Sequence, residues 1–589
     1  MGTVKKAFDL LIKQGPRAFK DRISTHIMYQ KDIEAYQHYL SKYSCTKEEL
    51  DRQRSTHFDY EPLISIVVPM YKTPLKLANE MIHSIQTQTY SNYQLCLADG
   101  TPNKSVEDAI KDYLSDPRIS YQHLKENKGI SENTNEAIKM AKGEYIALLD
   151  HDDLLAENAL YEMVKAINED RECEVLYSDE DKVNYDLTQY FYPHFKPDYS
   201  PDYLRSTNYI CHFFMVKKEL LDKVGYFDPL CNGSQDHDLI LRCTEQAKKV
   251  KHIPLVLYHW RIAPGSTSEN PENKMYCFEA GQRAVQKQLD RLHIQGTAKI
   301  GPTLGGYIVD YPIIDDPLVS VLIPNKDHIM DLNRCLNSIL TKATYSNFEV
   351  IIIENNSTDP KTFEYYDSIT DPRVKVIQYK GSFNYSKINN FGFAHSKGDY
   401  LLLLNNDTKI ISPNFIELML GHFNDPLVGV AGAKLFFENE RIQHNGVILG
   451  LGGIANHIEF NLKRYTPDYF FRYTLASNVS AVTGACLMTS RELYKRLNGL
   501  NEELQVAYND IDYCLRVREA GYRIVQEARC ELYHYESKSR GYEDTPEKKE
   551  RFEKESNYIK TRWHEYFENG DPYYNVNLSK EFPAFKVRK

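Results

Sequence analysis

Short runs of β-branched and aliphatic residues, each closed by a proline or an acid, alternate along the chain with stretches whose apolar residues recur every three or four positions. The first run, LISIVVPMYKT from Leu63, stops at Pro69. PLKLANEMIHSIQTQ follows with a helical period, and a second run ends in LADGT at Asp99. Continuous apolar runs are the mark of strands covered on both faces, and their alternation with helical patterns predicts a parallel sheet flanked by helices, an open α/β fold. Residues 1–58 are helical and polar and are expected to form a small cap or docking element. YQKDIEAYQHYLSKYSCTKEELDRQRS is their clearest helical segment. A charged helical run, EDTPEKKERFEKESNYIKTRWHEYFENG, comes after His534. The aromatic, proline-bearing tail DPYYNVNLSKEFPAF is expected to pack back on the surface.

The pattern is written twice. LVSVLIPNKDH repeats the first run 255 residues on, with Pro324 in the place of Pro69. Glu354 in IIENNS stands 255 residues after Asp99, and SKGDYLLLLNNDT repeats AKGEYIALLDHDD at the same offset. Constant spacing over three matches marks an internal repeat. The offset then grows to 274–275, between Asp236 and Asp510 and between His259 and His534. An insertion is therefore expected in the second copy, within the Gly-rich stretch at about 446–475, where a loop beside a site would shape an acceptor pocket. The expected organisation is a helical extension at 1–58, a first α/β domain at 59–284 and a linker at 285–316. A second domain follows at 317–545, then a helical extension and tail at 546–589. A chain of 589 residues is too long for one hydrophobic core.

Charge and composition narrow the function. With 72 basic and 82 acidic residues the net charge is -10, which argues against bulk nucleic-acid binding. No apolar run approaches 18 residues and the N-terminus lacks a signal-peptide core, so the expected location is the cytoplasm. A peripheral contact with the cytoplasmic face of a membrane is the alternative for the amphipathic terminus. Eleven scattered cysteines, odd in number and without a CxxC pair, fit reduced thiols.

In open α/β sheets ligands bind beyond the carboxyl ends of the strands. Asp99, the cluster Asp150/Asp152/Asp153 and, further on, Asp236 fall at such places. Asp99 would otherwise hold a turn, and Asp236 would otherwise cap the helix LILRCTEQ. Three acids within DHDD repel one another unless a cation compensates, and a divalent ion shared with diphosphate oxygens meets that need. No GxGxxG or GxxxxGKS loop is present, which sets aside dinucleotide-redox and ATPase chemistry.

These marks together resemble two nucleotide-sugar glycosyltransferase domains of the GT-A fold, family 2, the inverting class. The marks are the VVP/LIP strand, the acid after the second strand, the segments NTNEAIKMAKGEYIALLDHDD and KINNFGFAHSKGDYLLLLNNDT, and the later Asp-x-Asp. The resemblance covers about 63–280 and 318–540 and points to bacterial enzymes that build surface polysaccharide or O-antigen chains. It implies that Pro69, Tyr71, Asp99, Asp150 and Asp152 bind the donor in the first copy, as Pro324, Glu354, Asn405 and Asp407 do in the second. It implies Asp152 and His259, and Asp407 and His534, as ligands of Mn²⁺ or Mg²⁺. Asp236 and Asp510 become the general bases that deprotonate the acceptor hydroxyl. Asp179, Asp181, Arg261, Lys538 and Arg540 are looser candidates for contact with diphosphate or acceptor. The second copy reads Asn405-Asn406-Asp407 where the first has a DxD pair, which implies a different donor or weaker metal affinity. The implied partners are nucleotide sugars, UDP-linked in the first copy and UDP- or dTDP-linked in the second, and a lipid-linked glycan acceptor. The leading expectation is a bifunctional transferase. One catalytic copy with a positioning copy, a processive two-sugar polymerase, and a non-catalytic carbohydrate-binding scaffold are the alternatives.

Overall fold

The computed structural model describes residues 30–262, 275–466, 468–472, 474–535 and 545–589. It shows two α/β domains in tandem, flanked by helical segments. In the first, strands Ile119–His123, Tyr93–Asp99, Ile64–Met70 and Tyr145–Leu148 lie side by side and parallel. Phe214–Lys217 then joins antiparallel to Tyr145–Leu148, followed by Cys173–Asn184 and Lys249–Ile262, and the short strands Leu154–Leu155 and Tyr190–His194 pair with these last two. The second domain repeats this order with Val374–Gln378, Phe348–Glu354, Val319–Asn325, Tyr400–Leu404, Cys486–Ser490, Val428–Phe436 and Arg523–His534. In each sheet the first strand lies between the second and the fourth, so the chain reverses direction across the sheet there and opens a crevice at the carboxyl ends.

Local sequence explains these elements. Leu77, Ala78, Met81, Ile82 and Ile85 bury one face of the helix Leu75–Gln86 against the sheet, following its 3.6-residue period. The glycine of the KGEY and KGDY segments is required by close approach. A Cβ on Gly143 would lie 2.6 Å from Leu63 O and Ser65 N, and one on Gly398 would lie 2.6 Å from Ser320 N. The helix Pro546–Arg562 starts with proline in its first turn, and the Thr545 side chain accepts from Lys548 N.

The segment 285–316, expected as a linker, begins inside the helix Met275–Arg291 and continues as the hairpin Thr297–Ile300/Tyr307–Asp310. Ala298, Tyr307 and Val309 pack into the first domain's core. The tail does more than cover a surface. Tyr573, Tyr574, Leu578 and Ala584 are buried in one cluster with Tyr36 and Tyr39 of the helix at 30–43, Phe195 of the first domain and much of the second.

A buried ionic network also joins the two copies. Asp202 of the first accepts from Arg523 Nε of the second at 2.9 Å, from Asn478 Nδ2 at 2.7 Å and from Arg205 Nη1 at 3.1 Å. Asp425 accepts from Arg523 Nη2 at 2.5 Å and Arg205 Nη2 at 3.4 Å. Two aspartates and two arginines thus balance one another away from water.

Candidate active sites

In the first copy the end of strand Tyr145–Leu148 delivers the DHDD turn to the crevice. Among the described residues, Asp150, Asp153 and His212 form a group whose ligand atoms all lie within 4.8 Å of one another. Asp153 is buried and accepts from Tyr258 OH at 2.6 Å and Arg261 N at 2.8 Å. His212 stacks on Tyr258 at 4.4 Å. Burial pushes the Asp150 carboxyl up, His212 counters it, and Asp152 and Asp236 add repulsion. Two carboxylates and an imidazole are a donor set that suits a divalent cation. Asp152 stands at the edge of this group with its side chain 33% exposed. Asp236 opens the helix Gln235–Gln246, where the dipole favours its charge, and its Oδ2 accepts from Asn208 Nδ2 at 2.8 Å.

The second copy builds the corresponding place differently. Asp407 Oδ1 is buried without a hydrogen-bond partner and lies 3.1 Å from His534 Nε2. Asn405 Nδ2 is 3.3 Å from the same ring nitrogen, and His534 Nδ1 meets Gln443 Oε1 at 2.7 Å. Gln443 Oε1 can only accept, so Nδ1 carries a proton, and Nε2 faces Asp407. A histidine tied back through one nitrogen, with the other aimed at a carboxylate, has the second-shell arrangement of a metal ligand. The residues present therefore fit Mn²⁺ or Mg²⁺. Burial works to raise the Asp407 carboxyl, but positive charge on the neighbouring His534 outweighs it and holds it below its ordinary value.

Asp510 opens the helix Asn509–Glu519. Its Oδ2 accepts from Gly484 N at 2.8 Å and its Oδ1 from Ile511 N at 2.8 Å. Burial pushes this carboxyl up against those bonds. Tyr385 OH donates to Gly484 O at 2.9 Å and lies 3.4 Å from Asn405 Oδ1, so one phenol touches both the NND segment and the turn that holds Asp510.

Several sequence-derived roles take a different form in the structure. His259 and His534 do not occupy equivalent rungs. Leu154 pairs with His259, whereas Thr408 pairs with His534. Thr408 repeats Asp153, so the counterpart of His534 is Trp260. Successive strand residues face opposite ways, and Tyr258 and Trp260 face His212 while His259 turns to the other face. There its Nδ1 meets Asp181 Oδ1 at 2.6 Å. The imidazole beside the first copy's acids is that of His212, while His259, expected as a metal ligand, lies against Asp181.

Asp179 and Asp181, expected near diphosphate or acceptor, are fully buried. Asp179 accepts from Asn575 Nδ2 at 2.9 Å and Lys196 N at 2.8 Å and meets His252 Nε2 at 2.9 Å. Asp181 accepts from Tyr36 OH at 2.6 Å. The helix at 30–43 and the tail cover them. Arg261 is likewise buried, paired with Glu80 and donating to Tyr185 O at 3.2 Å.

Asp99 and Glu354 close their strands as expected, yet both are buried with their oxygens engaged inside the domain. Asp99 accepts from Thr101 N and Tyr121 OH, and Glu354 from Ser357 N and Tyr366 OH. They hold the turns beside the crevice. Pro69 and Pro324 are half-buried near the same strand ends, and Tyr71 is exposed just beyond. Lys538 and Arg540 lie outside the described residues. His212, Asn208, Tyr385 and Gln443 are site neighbours that the sequence reading did not single out.

Burial, with the His534 charge nearby, holds His457 of the inserted segment down to about 4, against an ordinary 6.5. The unfolded chain takes up this proton first, so the stability contributed by the neutral ring is complete above pH 6.5 and is lost as pH falls toward 4. Tm measured across that window is expected to decline, and His457→Gln to flatten part of the decline.

Each of the two α/β domains thus gathers carboxylate and imidazole groups at the carboxyl ends of its strands. The glycosyl transferase family 2 model matches residues 65–225 and again 320–497, and the chain belongs to that family. It is 42% identical over 530 residues to the uncharacterized protein y4gI of Sinorhizobium fredii, covering 88% of this chain and 58% of that protein. It is 32% identical over 533 residues to the O-antigen biosynthesis protein RfbC of Myxococcus xanthus, covering 88% of this chain and 40% of that one. The chain thus spans less than two thirds of these relatives' length. Among solved structures, S. aureus TarS 1-349 in complex with UDP matches at 17% identity and a TM-score of 0.32, over 38% of this chain and 65% of that chain. Among the described residues no helix is long and apolar enough to cross a membrane.

Proposed function

We propose that the chain is a bifunctional, inverting glycosyltransferase that adds two sugars in succession from nucleotide-sugar donors to a growing, lipid-linked surface glycan. The observation that carries this is the duplication of one arrangement. In each copy a carboxylate opens a helix beside the crevice, Asp236 or Asp510, facing a donor segment with acids and an imidazole near it. Inversion needs a base on the acceptor side and positive charge on the departing diphosphate. A bound Mn²⁺ or Mg²⁺ would supply that charge, held by Asp407 and His534 in the second copy and by Asp150, Asp153 and His212 in the first. Asp236 and Asp510 take the acceptor proton. The similarity to an O-antigen biosynthesis protein supports a surface glycan as product. The unlike metal neighbourhoods favour different donors at the two sites.

The test is incubation of the purified protein with Mn²⁺ or Mg²⁺, a panel of nucleotide sugars and a short lipid-like acceptor, with products read by mass. Two distinct sugar additions are expected. A single addition supports the reading in which one copy only positions the acceptor, and a long alternating ladder supports a processive polymerase. Chelation by EDTA is expected to lower both additions by about 100-fold or more, restored by Mn²⁺, because several kcal/mol of charge stabilisation leaves with the cation.

A further inference from the structure

The segment that the second copy adds over the first reaches its base. After the strand Ile442–His444 the chain forms the hairpin Val447–Leu449/Ala455–His457. His444 and His457 meet across it, Nδ1 to Nδ1 at 2.8 Å, with their rings edge-on. One ring must donate and the other accept. Two other atoms decide which. His444 Nε2 lies 3.3 Å from Gly446 N and 3.4 Å from Thr483 N. Backbone N–H groups only donate, so Nε2 of His444 is unprotonated, its proton is on Nδ1, and His457 Nδ1 accepts it.

Thr483 belongs to the turn that presents Gly484 N to Asp510 Oδ2 at 2.8 Å. The same turn is held by Val447 N donating to Ala481 O at 2.8 Å and by Tyr385 OH on Gly484 O. His444 and the inserted segment that follows it therefore grip the turn on one side while Asp510 takes its amide on the other. The first copy does this otherwise. His194 pairs there with Glu180, the rung that Leu435 and His444 form in the second copy. Its ring stacks on Phe470 at 3.6 Å, and Asp236 is held by the side chain of Asn208.

We propose that His444, with its tautomer fixed by His457, is a positioning residue that sets the Thr483–Gly484 turn and through it the orientation of Asp510. This rests on Asp510 being the second copy's base. Displacement of a reacting group by about 1 Å costs on the order of 100-fold in rate. His444→Leu leaves two amides without an acceptor and lets the turn move, whereas the amide oxygen of His444→Gln can still accept from them.

The experiment measures kcat and donor KM for each sugar addition in the wild type, His444→Leu, His444→Gln and Asp510→Asn. Hydrogen exchange of the 480–486 region is followed alongside. His444→Leu is expected to lower kcat of the second copy's addition by about 10–100-fold, with donor KM little changed and faster exchange at the turn. His444→Gln is expected to recover most of the rate, and the first copy's addition serves as the folding control. Should His444→Leu not fold, His457→Phe, which strips the acceptor that fixes the tautomer, is expected to fall in the same direction. An unchanged kcat, or equal losses in the Leu and Gln variants, overturns the inference while Asp510→Asn still abolishes the addition. If Asp510→Asn keeps that addition, the base assignment falls and this inference falls with it.

Discussion

Asp236→Asn and Asp510→Asn are each expected to remove a different sugar addition, lowering its kcat by about 10²–10⁴-fold, the usual contribution of a positioned base. The amide keeps the shape of the carboxylate. At position 510 its oxygen can still accept from Gly484 N, which the carboxylate meets at 2.8 Å. At position 236 it can still accept from Asn208 Nδ2, met at 2.8 Å. Under the proposed function, what is lost is the capacity to take a proton from the acceptor hydroxyl. Donor KM should therefore stay near the wild-type value while kcat falls, the pattern of an interaction made only in the transition state. Product mass separates the outcomes. A different missing sugar in each variant establishes two catalysts. An intact product from one variant shows that its copy positions the acceptor or serves another one.

Much of this arrangement is legible in the sequence because the determinants are local. Pro69 and Pro324, the acids that close the second strands, and the KGEY and KGDY segments repeat at one offset because each meets a short-range constraint. Gly143 and Gly398 show it plainly: each lies against the backbone of its domain's first strand, where no side chain fits. The insertion after Gly446 is likewise legible from the change of offset. The illegible parts depend on distant chain. His212 reaches the DHDD turn because an antiparallel strand enters the sheet beside Tyr145–Leu148, which no local pattern announces. Aligning YHW with YHY by letter hides the equivalence of His534 with Trp260, because the ladder sets His534 opposite Thr408 and shifts the match by one residue. A one-residue shift on a strand moves a side chain to the other face. Asp179 looks like a strand-end acid until Asn575, from the far end of the chain, covers it.

Arg523→Leu is expected to be the most destabilising single change outside the sites. It would leave the carboxylates of Asp202 and Asp425 facing one another with only Arg205 between them, buried and with net negative charge. Breaking a buried pair by removing one partner costs about 3–5 kcal/mol, mainly from the charge left uncompensated. For a unit of 150–250 residues this corresponds to a fall in Tm of about 2–4 °C per kcal/mol. Calorimetry is expected to show the earlier transition and a separation of the two domains' unfolding. The double variant Asp202→Asn/Arg523→Leu should recover part of the loss, because it removes the stranded charge, and the cycle measures the coupling directly. Acid has a related effect. Burial works to raise the Asp202 carboxyl, but Arg523 and Arg205 outweigh it and hold it well below its ordinary 3.8. Its contribution is therefore present above pH 3.8 and is lost as pH falls below that value, a loss that Arg523→Leu should reduce, with Arg205 still in place. If both sugar additions persist in the folded Arg523→Leu protein, the network serves the joint between the copies alone. If the second addition slows while the first does not, handover of the acceptor from one crevice to the other depends on holding them in a fixed relation.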